Sequence, residues 1–364
     1  MDAVDELQQA RAEINEVDAE MAALFERRMT AVRQVLEYKR AHGLPVLDAG
    51  REKEVLQRGA ARVSDPALRE YYTRVLERLM EVSRDFQSRQ LGEFTVAYPG
   101  VEGAFSHIAA SRIFPGKKQQ AFVTFEEVFR AVQDGTAAAG VVPFENSYTG
   151  EVGEVLDLLW RYDCSIVEMY DLDIRQNLLA LPGARLEDIR QVYSHHQAIS
   201  QCQTWLSGRD LEVVPYPNTA LAAKYISECG DCAKAAIASA DTAALYGLSV
   251  LARDINTSAQ NVTRFIVLSR TPQHRGDRFN LVFTVRHDAG ALARAMQIIG
   301  SRGFNLESIR SRSMRDLPWQ YFFYAEVVGD PSSARAREML DELAAACSQL
   351  KLLGAWERRD AEGR

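Results

Sequence analysis

Cysteine is scarce in this chain, with five residues among 364. An odd and sparse set of thiols argues against a disulfide framework and is typical of the reducing cytosol, so a cytoplasmic protein is expected. Cys229 and Cys232 form the one C-x-x-C pattern, and without a second pair they are interpreted as an incidental loop pair. His195 and His196 lack acidic or cysteine partners at ligand spacing, so no metal site is predicted.

The chain also lacks long apolar runs and an excess of positive charge. No run approaches the roughly 18 apolar residues that a membrane helix needs. The net charge of −7 and the pI near 5.6 argue against nucleic acid, which binds basic surfaces. The start, MDAVDELQQARAEINEVD, is acidic and amphipathic, unlike a signal or transit peptide. Neither a membrane nor a nucleic acid is therefore expected as a partner.

A chain of 364 residues, 47% of them hydrophobic, is too long for one core, and two or three domains are expected. Residues 1–91 form the first predicted domain and have the pattern of helix throughout. Gly43 and Pro45 end a long first helix, and further helices are predicted at about 48–62 and 66–90. In the first helix, apolar residues recur at three- and four-residue steps: Leu7, Ile14, Val17, Met21, Leu24, Val32 and Val35.

Residues 93–270 form the second predicted domain, in which short strands alternate with helices. Strands are predicted at FTVAYPG, AAAGVVPFENS, SIVEMYDLDI, DIRQVYSH, LEVVPY and AAIAS, and over residues 265–268. This alternation predicts an α/β fold of two lobes with largely parallel strands. Ligands of such folds bind at loops beyond the carboxyl ends of the strands.

Residues 278–358 form the third predicted domain, which follows the polar linker RTPQHRGDR. Strand FNLVFTVR, helix AGALARAMQIIGSRG and strands NLESIRSRS and PWQYFFYAEVVG precede a helix at about 332–350 and a short final strand. This βαββαβ order predicts an α+β ferredoxin-like plait.

Two cations lie on the apolar stripe of the first helix. Arg28 and Lys39 are eleven residues apart, so a helix places them on one face and about 16 Å apart. An unpaired cation on a packing stripe is costly, which favours an anionic ligand between helices over a solvated edge. Arg11 lies about 25 Å from Arg28 along the axis, too far to share one small ligand. Arg11 would therefore serve the site of another chain, which predicts an intertwined homodimer.

Eight polar positions of the helical segment have spacings that amphipathicity alone would not select: Arg11, Arg28, Lys39, Asp48, Arg51, Glu52, Ser83 and Gln87. In these positions the segment resembles the all-helical chorismate mutases, over essentially all of residues 4–90. The resemblance implies a pericyclic conversion of chorismate to prephenate that uses neither a nucleophile nor a cofactor. Such a reaction is accelerated by holding the reactive conformer and by charge beside the breaking C–O bond.

The same resemblance implies a role for several of these side chains. Arg28 and the partner's Arg11 would bind the two carboxylates of the substrate. Lys39 and Gln87 would address the ether oxygen. Glu52, with the region around Arg51, would hold the ring hydroxyl. A vestigial unit that only dimerises is the alternative.

Five loop phrases of the second segment follow one another in order: GVEGAFSHIAA, VVPFENSYTGEV, SHHQAISQC, NTALAAKYI and NVTRF. They resemble the prephenate dehydratase domain, whose two-lobed fold is like that of periplasmic binding proteins. The sequence departs from the family pattern at Ala104, His196 and Asn218, where Thr, Pro and Ser are common. The resemblance implies conversion of prephenate to phenylpyruvate, with loss of the ring hydroxyl and carbon dioxide together.

A departing hydroxyl needs a donor, and a departing carboxylate needs a pocket that solvates it poorly. Thr263 is the candidate for the leaving hydroxyl, where it would relay or orient a proton. Arg264 would anchor anionic substrate or brace the loop, and Phe265 would begin the core strand. Glu145 is a candidate acid or a brace. Neutral hydrogen-bonding groups for the carboxylate and keto groups are expected from Asn146, Ser147, Ser194 and Gln201.

The third segment resembles an ACT domain, an amino-acid-sensing module. Residues matching its ligand site are Gly290, Ala291, Leu292, Asn305, Leu306 and Ser311. The sequence has Arg310 and Ser313 where Glu and Pro are usual, which reverses a charge and loosens a turn. The resemblance implies phenylalanine as the effector. Because of these two departures, altered or lost sensing is the alternative. Side-by-side pairing of such modules also favours a homodimer or a dimer of dimers.

Together the three resemblances predict a bifunctional enzyme of phenylalanine biosynthesis with a regulatory tail. Its substrates would be chorismate and prephenate. One alternative is a dehydratase whose helical segment only dimerises. Another is a sensor that binds amino acids without catalysis.

Overall fold

The computed structural model describes residues 3–42, 44, 46, 48–90, 94–258, 260–314, 317 and 319–358. The chain divides into two compact units, one ending at Phe94 and one beginning at Thr95. The predicted helix-ending residues Gly43 and Pro45 lie outside the described residues, as does the predicted domain junction at 91–93.

Three helices make up the first unit. They are α1 (Ala3–Ala41), α2 (Ala49–Arg62) and α3 (Arg69–Gln90), with a 3-10 turn at Pro66–Leu68. Asp48 begins α2, because its carboxylate accepts a hydrogen bond from the Arg51 backbone N–H.

The helices of this unit pack closely at one pair and leave α1 largely uncovered. A Cβ at Gly59 of α2 would lie 2.1 Å from Leu76 Cδ1 of α3, so the helices approach where a side chain is missing. Leu36 of α1 and Met80 of α3 are buried. In contrast, the predicted apolar stripe in the N-terminal half of α1 is between 48% and 59% exposed, at Leu7, Ile14, Val17, Met21 and Leu24.

The second unit begins with an α/β lobe, here called the first lobe. Its elements are β1 (Thr95–Pro99), α4 (Phe105–Ile113), β2 (Lys118–Phe122), α5 (Phe125–Gln133), β3 (Ala139–Asn146), β4 (Gly150–Glu151), α6 (Gly153–Arg161) and β5 (Ser165–Asp173). The chain then crosses into the second lobe. Its elements are β6 (Asn177–Ala180), β7 (Gln191–Ser194), α7 (His196–Gln201), α8 (Gln203–Ser207), β8 (Glu212–Pro215), α9 (Thr219–Cys229), β9 (Lys234–Ala238), α10 (Ala240–Tyr246) and β10 (Ser249–Ala252), with a 3-10 turn at Leu186–Asp188. Strand β11 (Val262–Ser269) returns to the first lobe.

Each lobe has one mixed sheet, where largely parallel pairing was expected. The strand orders are β2-β1-β3-β11-β5 and β10-β6-β9-β7-β8, with β4 beside β3. The pairs among β1, β2 and β3 and among β7, β8 and β9 are parallel, as predicted. Strand β11, however, runs antiparallel to both β3 and β5, because it enters from the other lobe. The prediction was therefore wrong for the strand that carries Thr263.

A plait of four strands and two helices ends the chain. Its elements are β12 (Arg278–Thr284), α11 (Ala291–Ser301), β13 (Asn305–Ser313), β14 (Tyr321–Val328), α12 (Ala334–Ala346) and β15 (Gln349–Trp356). The antiparallel sheet has the order β13-β14-β12-β15, as the βαββαβ pattern predicts. Tyr324, Phe322 and Leu353 of this sheet join one hydrophobic core with Phe144 and Ile166 of the first lobe. The plait and the first lobe thus share their interior.

None of the helices in the described part of the chain is long and apolar enough to cross a membrane.

Candidate active sites

In the helical unit, Arg28 of α1 meets the polar face of α3. Its Nη1 donates to the carbonyl of Leu79 over 3.2 Å and to the hydroxyl of Ser83. Burial lowers the pKa of Arg28. Gln87 lies one turn beyond Ser83, whose carbonyl accepts from the Gln87 Nε2 over 3.2 Å. Because Ser83 and Gln87 are 5% and 7% exposed, this is a buried polar cluster between two helices.

The cluster has unused hydrogen-bonding capacity. The buried Oε1 of Gln87 has no partner among the described residues. A buried acceptor without a donor is costly, so a ligand that donates or a bridging water would lower the free energy of this site.

The predicted residues on α2 divide between two environments. Glu52 forms an ion pair with Arg84, which directly follows Ser83 in α3. Both side chains of this pair are largely covered. Arg51 points away, with a side chain that is 59% exposed and pairs with Glu54 over 2.5 Å. Asp48 caps the helix through the Arg51 backbone, so its carboxylate has a structural use.

Lys39 and Arg11 make none of the hydrogen bonds of this cluster. The Lys39 Nζ donates to the carbonyl of Val46 over 2.5 Å and so anchors the segment after α1. Arg11 is exposed in the N-terminal half of α1, about 25 Å along the axis from Arg28. A single chain therefore does not bring Arg11 to the other predicted cations.

In the second unit, a cavity of about 610 Å³ lies between the two lobes and is called the interlobe cavity. Four of the predicted residues line it: Asn146, Gln201, Thr263 and Phe265. Sequence reasoning assigned no site role to nine further polar residues of its lining, which are Ser106, Thr124, Thr149, Glu154, Gln176, His195, Gln197, Asn218 and Thr219. His195 and Asn218 each precede a helix that follows a strand, a position that could have revealed them.

The orientation of the Asn146 amide is fixed by its acceptors and donors. Its Oδ1 accepts hydrogen bonds from the backbone N–H groups of Tyr148 and Thr149, both over 3.0 Å. The Thr149 hydroxyl donates to the same oxygen over 3.2 Å. Because a backbone N–H can only donate, this side of the amide must be the oxygen.

The nitrogen of Asn146 consequently faces Thr263. Its Nδ2 lies 2.9 Å from Thr263 Oγ1, 2.8 Å from Asn261 Oδ1 and 3.2 Å from the carbonyl of Val262. The amide therefore donates and the Thr263 hydroxyl accepts. Among the described residues, no acceptor takes the hydroxyl hydrogen of Thr263, so it is available to a ligand in the interlobe cavity.

Hydrogen bonds also cross the cavity from the second lobe. Gln197 Nε2 donates over 3.1 Å to the hydroxyl of Thr149, which itself donates to Asn146. Gln176 Nε2 donates over 3.2 Å to Gln201 Oε1, which leaves the Gln201 amide hydrogens for other partners. Both lobes thus contribute to one network of neutral amides and hydroxyls.

His195 adds a titratable group to the lining. Burial, with a smaller contribution from His196, lowers the pKa of His195. Its Nδ1 accepts from the Gln197 N–H over 3.4 Å, which favours the tautomer that carries its hydrogen on Nε2. His195 therefore enters the site as a neutral donor. No group of three or more metal-ligating side chains occurs in the part of the chain that the structure describes.

Two predicted serines do not line the interlobe cavity. Ser194 is fully buried, and its hydroxyl donates to the carbonyl of Ile237 over 2.7 Å, which braces β7 against β9. The Ser147 hydroxyl accepts from the Val262 N–H over 3.0 Å and so ties the turn after β3 to the start of β11. Both hydroxyls are used to hold strands, which the residue type alone does not reveal.

Glu145 and Arg264 also face away from the interlobe cavity. They line a second cavity of about 1360 Å³, the plait-side cavity, on the other side of the β3–β11 pair. Arg264 forms a two-point ion pair with Asp171, at 2.9 and 3.2 Å, which raises the pKa of Arg264. Glu145 pairs with Arg310 of the plait over 2.5 Å. Of the two roles open to each residue, the geometry favours the brace.

The predicted effector residues of the plait fall at two ends of its sheet. Gly290, with φ of 80°, caps α11 just before Ala291, close to the level of Ser311. Asn305 and Leu306 begin β13, about 20 Å along the strand from Ser311. One chain therefore does not gather the whole set into one site.

Comparison with known proteins adds an independent finding. The family model for prephenate dehydratase matches residues 96–273, and the model for chorismate mutase type II matches residues 10–88. A bifunctional chorismate mutase/prephenate dehydratase of Aquifex aeolicus is 30% identical over 365 residues, a match that covers 98% of this chain and 99% of the relative.

Solved structures match about three quarters of the chain. The prephenate dehydratase of Arthrobacter aurescens in complex with L-Phe is 31% identical with a TM-score of 0.67, covering 73% of this chain and 90% of that one. GqqA, described as a quorum-quenching acylase, is 30% identical with a TM-score of 0.68, covering 74% of this chain and 99% of that one. Since proteins with different described activities share this fold, the fold alone does not identify the reaction.

The sequence matches do identify the family. The two family models occupy separate segments, and the Aquifex relative aligns with nearly the whole of both. The resemblances to chorismate mutase and prephenate dehydratase are thereby confirmed. The chain belongs to the bifunctional chorismate mutase/prephenate dehydratases.

Proposed function

We propose that the chain converts chorismate to prephenate in its helical unit and prephenate to phenylpyruvate in its interlobe cavity. The observation that carries the proposal is the Thr263 hydroxyl, which receives a hydrogen bond from Asn146 and keeps its own hydrogen for a ligand. A sensor without catalysis would not need a donor held in this way. A dehydratase with an inert helical unit remains the second candidate, since the apolar face of α1 already gives that unit a use in dimerisation.

In the dehydratase reaction, the electrons of the ring C–carboxylate bond move into the ring as carbon dioxide departs, and the ring C–O bond breaks. Negative charge develops on the departing oxygen, which Thr263 stabilises by donating a hydrogen bond. A proton from solvent, which the Thr263 hydroxyl relays or orients, then converts the departing hydroxide to water. The free amide hydrogens of Gln201 and the neutral His195 suit the remaining carboxylate and keto oxygens.

The lining residues proposed to contact the substrate, Asn146, Gln201 and Thr263, are neutral amides and a hydroxyl. Glu154 is a carboxylate in the same lining, whereas the ion pairs of Arg264 and Glu145 line the plait-side cavity instead. A weakly solvated carboxylate loses carbon dioxide more readily, because its charge disperses into the ring. Placing Arg264 and Glu145 on the opposite face keeps their charges out of this cavity.

For the mutase reaction, the proposed site combines Arg28, Lys39 and Glu52 with the buried Ser83 and Gln87. The cations bind the substrate carboxylates and stabilise negative charge on the ether oxygen as the C–O bond breaks. Asp48 and Arg51 take part through the start of α2 rather than by contact, since Asp48 caps the helix and Arg51 pairs with Glu54.

We also propose that the mutase site is completed by a second chain. The apolar stripe of α1 is about half exposed in a single chain. An exposed apolar surface of this kind marks a contact with another protein, and a second copy of α1 would cover it. If this second helix ran antiparallel to the first, it would bring the partner's Arg11 to Arg28. Side-by-side plaits could join such dimers into a dimer of dimers.

The plait is proposed to be an ACT domain that senses phenylalanine. Strand β13 is an edge strand, and an antiparallel pair of such edges would place the partner's Asn305 near Ser311 and the loop at Gly290. This arrangement would unite residues that lie apart in one chain. The Arthrobacter dehydratase, which was solved with L-Phe, supports this choice of effector.

A cytoplasmic location is proposed as well. All five cysteines are free in the structure, and Cys164 and Cys202 are buried. Burial raises the pKa of both of these thiols to about 12, so they are unreactive packing groups.

The test of the proposed function is a coupled assay on the purified chain. Chorismate should yield phenylpyruvate through prephenate, and phenylalanine should slow the second step. If the chain converts supplied prephenate but does not convert chorismate, the second candidate, a dehydratase with an inert helical unit, is established. Tight binding of phenylalanine without any turnover would establish the sensor.

A further inference from the structure

A β-bulge interrupts the pairing of β3 with β11 immediately before the catalytic pair. Arg264 lies opposite Glu145, whereas the next residue, Phe265, lies opposite Pro143. Phe144 is therefore the extra residue in β3. A bulge turns two consecutive side chains toward one face and so changes the face of every residue that follows.

At this bulge, Phe144 and Glu145 both face the plait, and Asn146 faces the interlobe cavity. Phe144 packs on Tyr324 of the plait, with ring centroids 5.2 Å apart. Glu145 reaches Arg310 of the plait over 2.5 Å, on the same side. The next residue, Asn146, lies on the opposite side and lines the interlobe cavity. A shift of one residue would exchange these positions and remove Asn146 from Thr263.

Arg310 contacts both residues of the bulge. Its guanidinium carbon lies 5.0 Å from the ring centroid of Phe144 and 5.9 Å from that of Tyr324, within the range of cation–π attraction. Its side chain is 15% exposed. The buried Nη1 has no acceptor among the described residues, so Glu145 provides its compensating charge. Removing Glu145 leaves the covered charge of Arg310 unpaired, and removing Arg310 frees the partly exposed Glu145 from its place beside the plait.

We propose that Arg310 is a positioning residue of the dehydratase site, acting through the Phe144–Glu145 bulge to hold Asn146 against Thr263. This inference rests on the proposed function of the interlobe cavity. Arg310 touches no substrate. It gives the plait a direct mechanical link to the strand end that carries the reaction, independent of any effector.

The test is a double-mutant cycle with prephenate as the substrate. R310Q should lower kcat by about 10- to 100-fold, because a small displacement of a catalytic group has an effect of this size. Its KM should stay within about threefold of the wild-type value. E145Q should have a similar effect. Because the two side chains act as one unit, the R310Q/E145Q protein should be no slower than the slower single variant. Losses that multiply would show separate roles and overturn the proposal.

Two further variants separate positioning from general damage. R310K keeps the charge and should recover part of the lost kcat; a kcat no higher than that of R310Q would contradict the charge pairing. Lys351 of β15 also joins the plait to the first lobe, through the carbonyls of Leu159 and Tyr162 at the end of α6 rather than through the bulge. K351Q should stay within twofold of the wild type. An equal loss in K351Q would show that any loosening of the plait suffices, and would refute a specific role of Arg310.

The outcomes also separate this inference from the proposed function. If the wild-type chain does not convert prephenate, the proposed function fails. If the wild type converts it and R310Q stays within twofold, only the role of Arg310 fails. Should R310Q not fold, R310K and E145Q provide the same comparison.

Discussion

The amide of Asn146 donates to the hydroxyl oxygen of Thr263 over 2.9 Å, and this direction cannot be reversed. Two backbone N–H groups hold the Asn146 oxygen on the other side. The Thr263 hydroxyl can therefore donate only into the interlobe cavity. A hydroxyl that could donate or accept thus becomes a committed donor through its neighbour.

Asn146→Asp should reverse that hydrogen bond. One carboxylate oxygen would keep the two backbone donors, and the other would accept the Thr263 hydrogen and withhold it from the substrate. We expect kcat for prephenate to fall by about 10²- to 10³-fold, the usual effect of losing one well-placed donor. Phenylpyruvate formation from supplied prephenate measures it. Mutase turnover by the same preparation should be unchanged, and an undiminished dehydratase rate would remove Asn146 from the mechanism.

Thr263→Ala should remove the donor itself, with a loss at least as large as that of Asn146→Asp. Thr263→Ser is the matched control, because it keeps the hydroxyl and loses only a methyl group. Its kcat should remain within about tenfold of the wild type. Near-normal dehydratase rates for Thr263→Ala would show that the departing hydroxyl is assisted by another group.

Lys39→Ala should abolish the mutase reaction and spare the dehydratase. The cation is proposed to stabilise the ether oxygen, and no neutral side chain can replace that charge. We expect a fall in kcat/KM for chorismate of at least about 10²-fold. Arg58→Ala is the control, since Arg58 is a 66% exposed cation of the same unit that pairs with Glu54. Equal losses in both variants would point to net charge rather than to a site.

Mixing two inactive variants should restore mutase activity. Arg11→Ala and Lys39→Ala each disable both sites of an intertwined homodimer. In a mixed dimer, one site combines the intact Lys39 of one chain with the intact Arg11 of the other. Random exchange would make about half of the dimers mixed, so about a quarter of the wild-type rate should return. An inactive mixture, after exchange is verified by mass, would place Arg11 outside the neighbouring site.

Glu326 should make the second unit less stable as the pH rises. Burial raises the pKa of this 3% exposed carboxyl to about 7, against the opposing effects of Arg264 and Arg310, and Glu307 raises it further. Between the usual pKa of 4.5 and about 7, the folded state binds a proton that the unfolded state has released. The free energy of unfolding therefore falls across that interval and stays low above it.

Glu326→Gln removes this titration. The variant should be more stable than the wild type at pH 8, by on the order of 3 kcal/mol, and similar to it near pH 4.5. Chemical denaturation at a series of pH values measures the difference. Parallel pH profiles for the two proteins would show that Glu326 titrates normally.

Much of the fold follows from local patterns. The three-residue and four-residue steps between Ile14, Val17, Met21 and Leu24 predict α1, and FTVAYPG predicts β1. The βαββαβ order of the plait follows from element order in the same way. The antiparallel course of β11 could not be predicted, because a strand's own residues do not specify its neighbours' direction.

The candidate sites were predictable in residue identity and less so in geometry. The phrase NVTRF contains both Thr263, which lines the interlobe cavity, and Arg264, which faces the plait. Adjacent residues of a strand point to opposite faces, so a motif that spans both cannot serve one site with every member. Ser194 shows a related limit, because a buried serine that holds two strands has the same sequence appearance as one that binds a ligand.

The amino-acid order alone established the two family assignments, the helical and strand segments and the presence of Asn146 and Thr263, because these depend on residues close in sequence. The direction of the Asn146 amide, the bulge at Phe144 and the pairing of Glu145 with Arg310 were settled by the folded arrangement. The bulge and the ion pair depend on strand register and on partners more than a hundred residues away. The turn at Tyr148 and Thr149 orients the Asn146 amide locally, but only the fold brings Thr263, 117 residues along the chain, to its nitrogen.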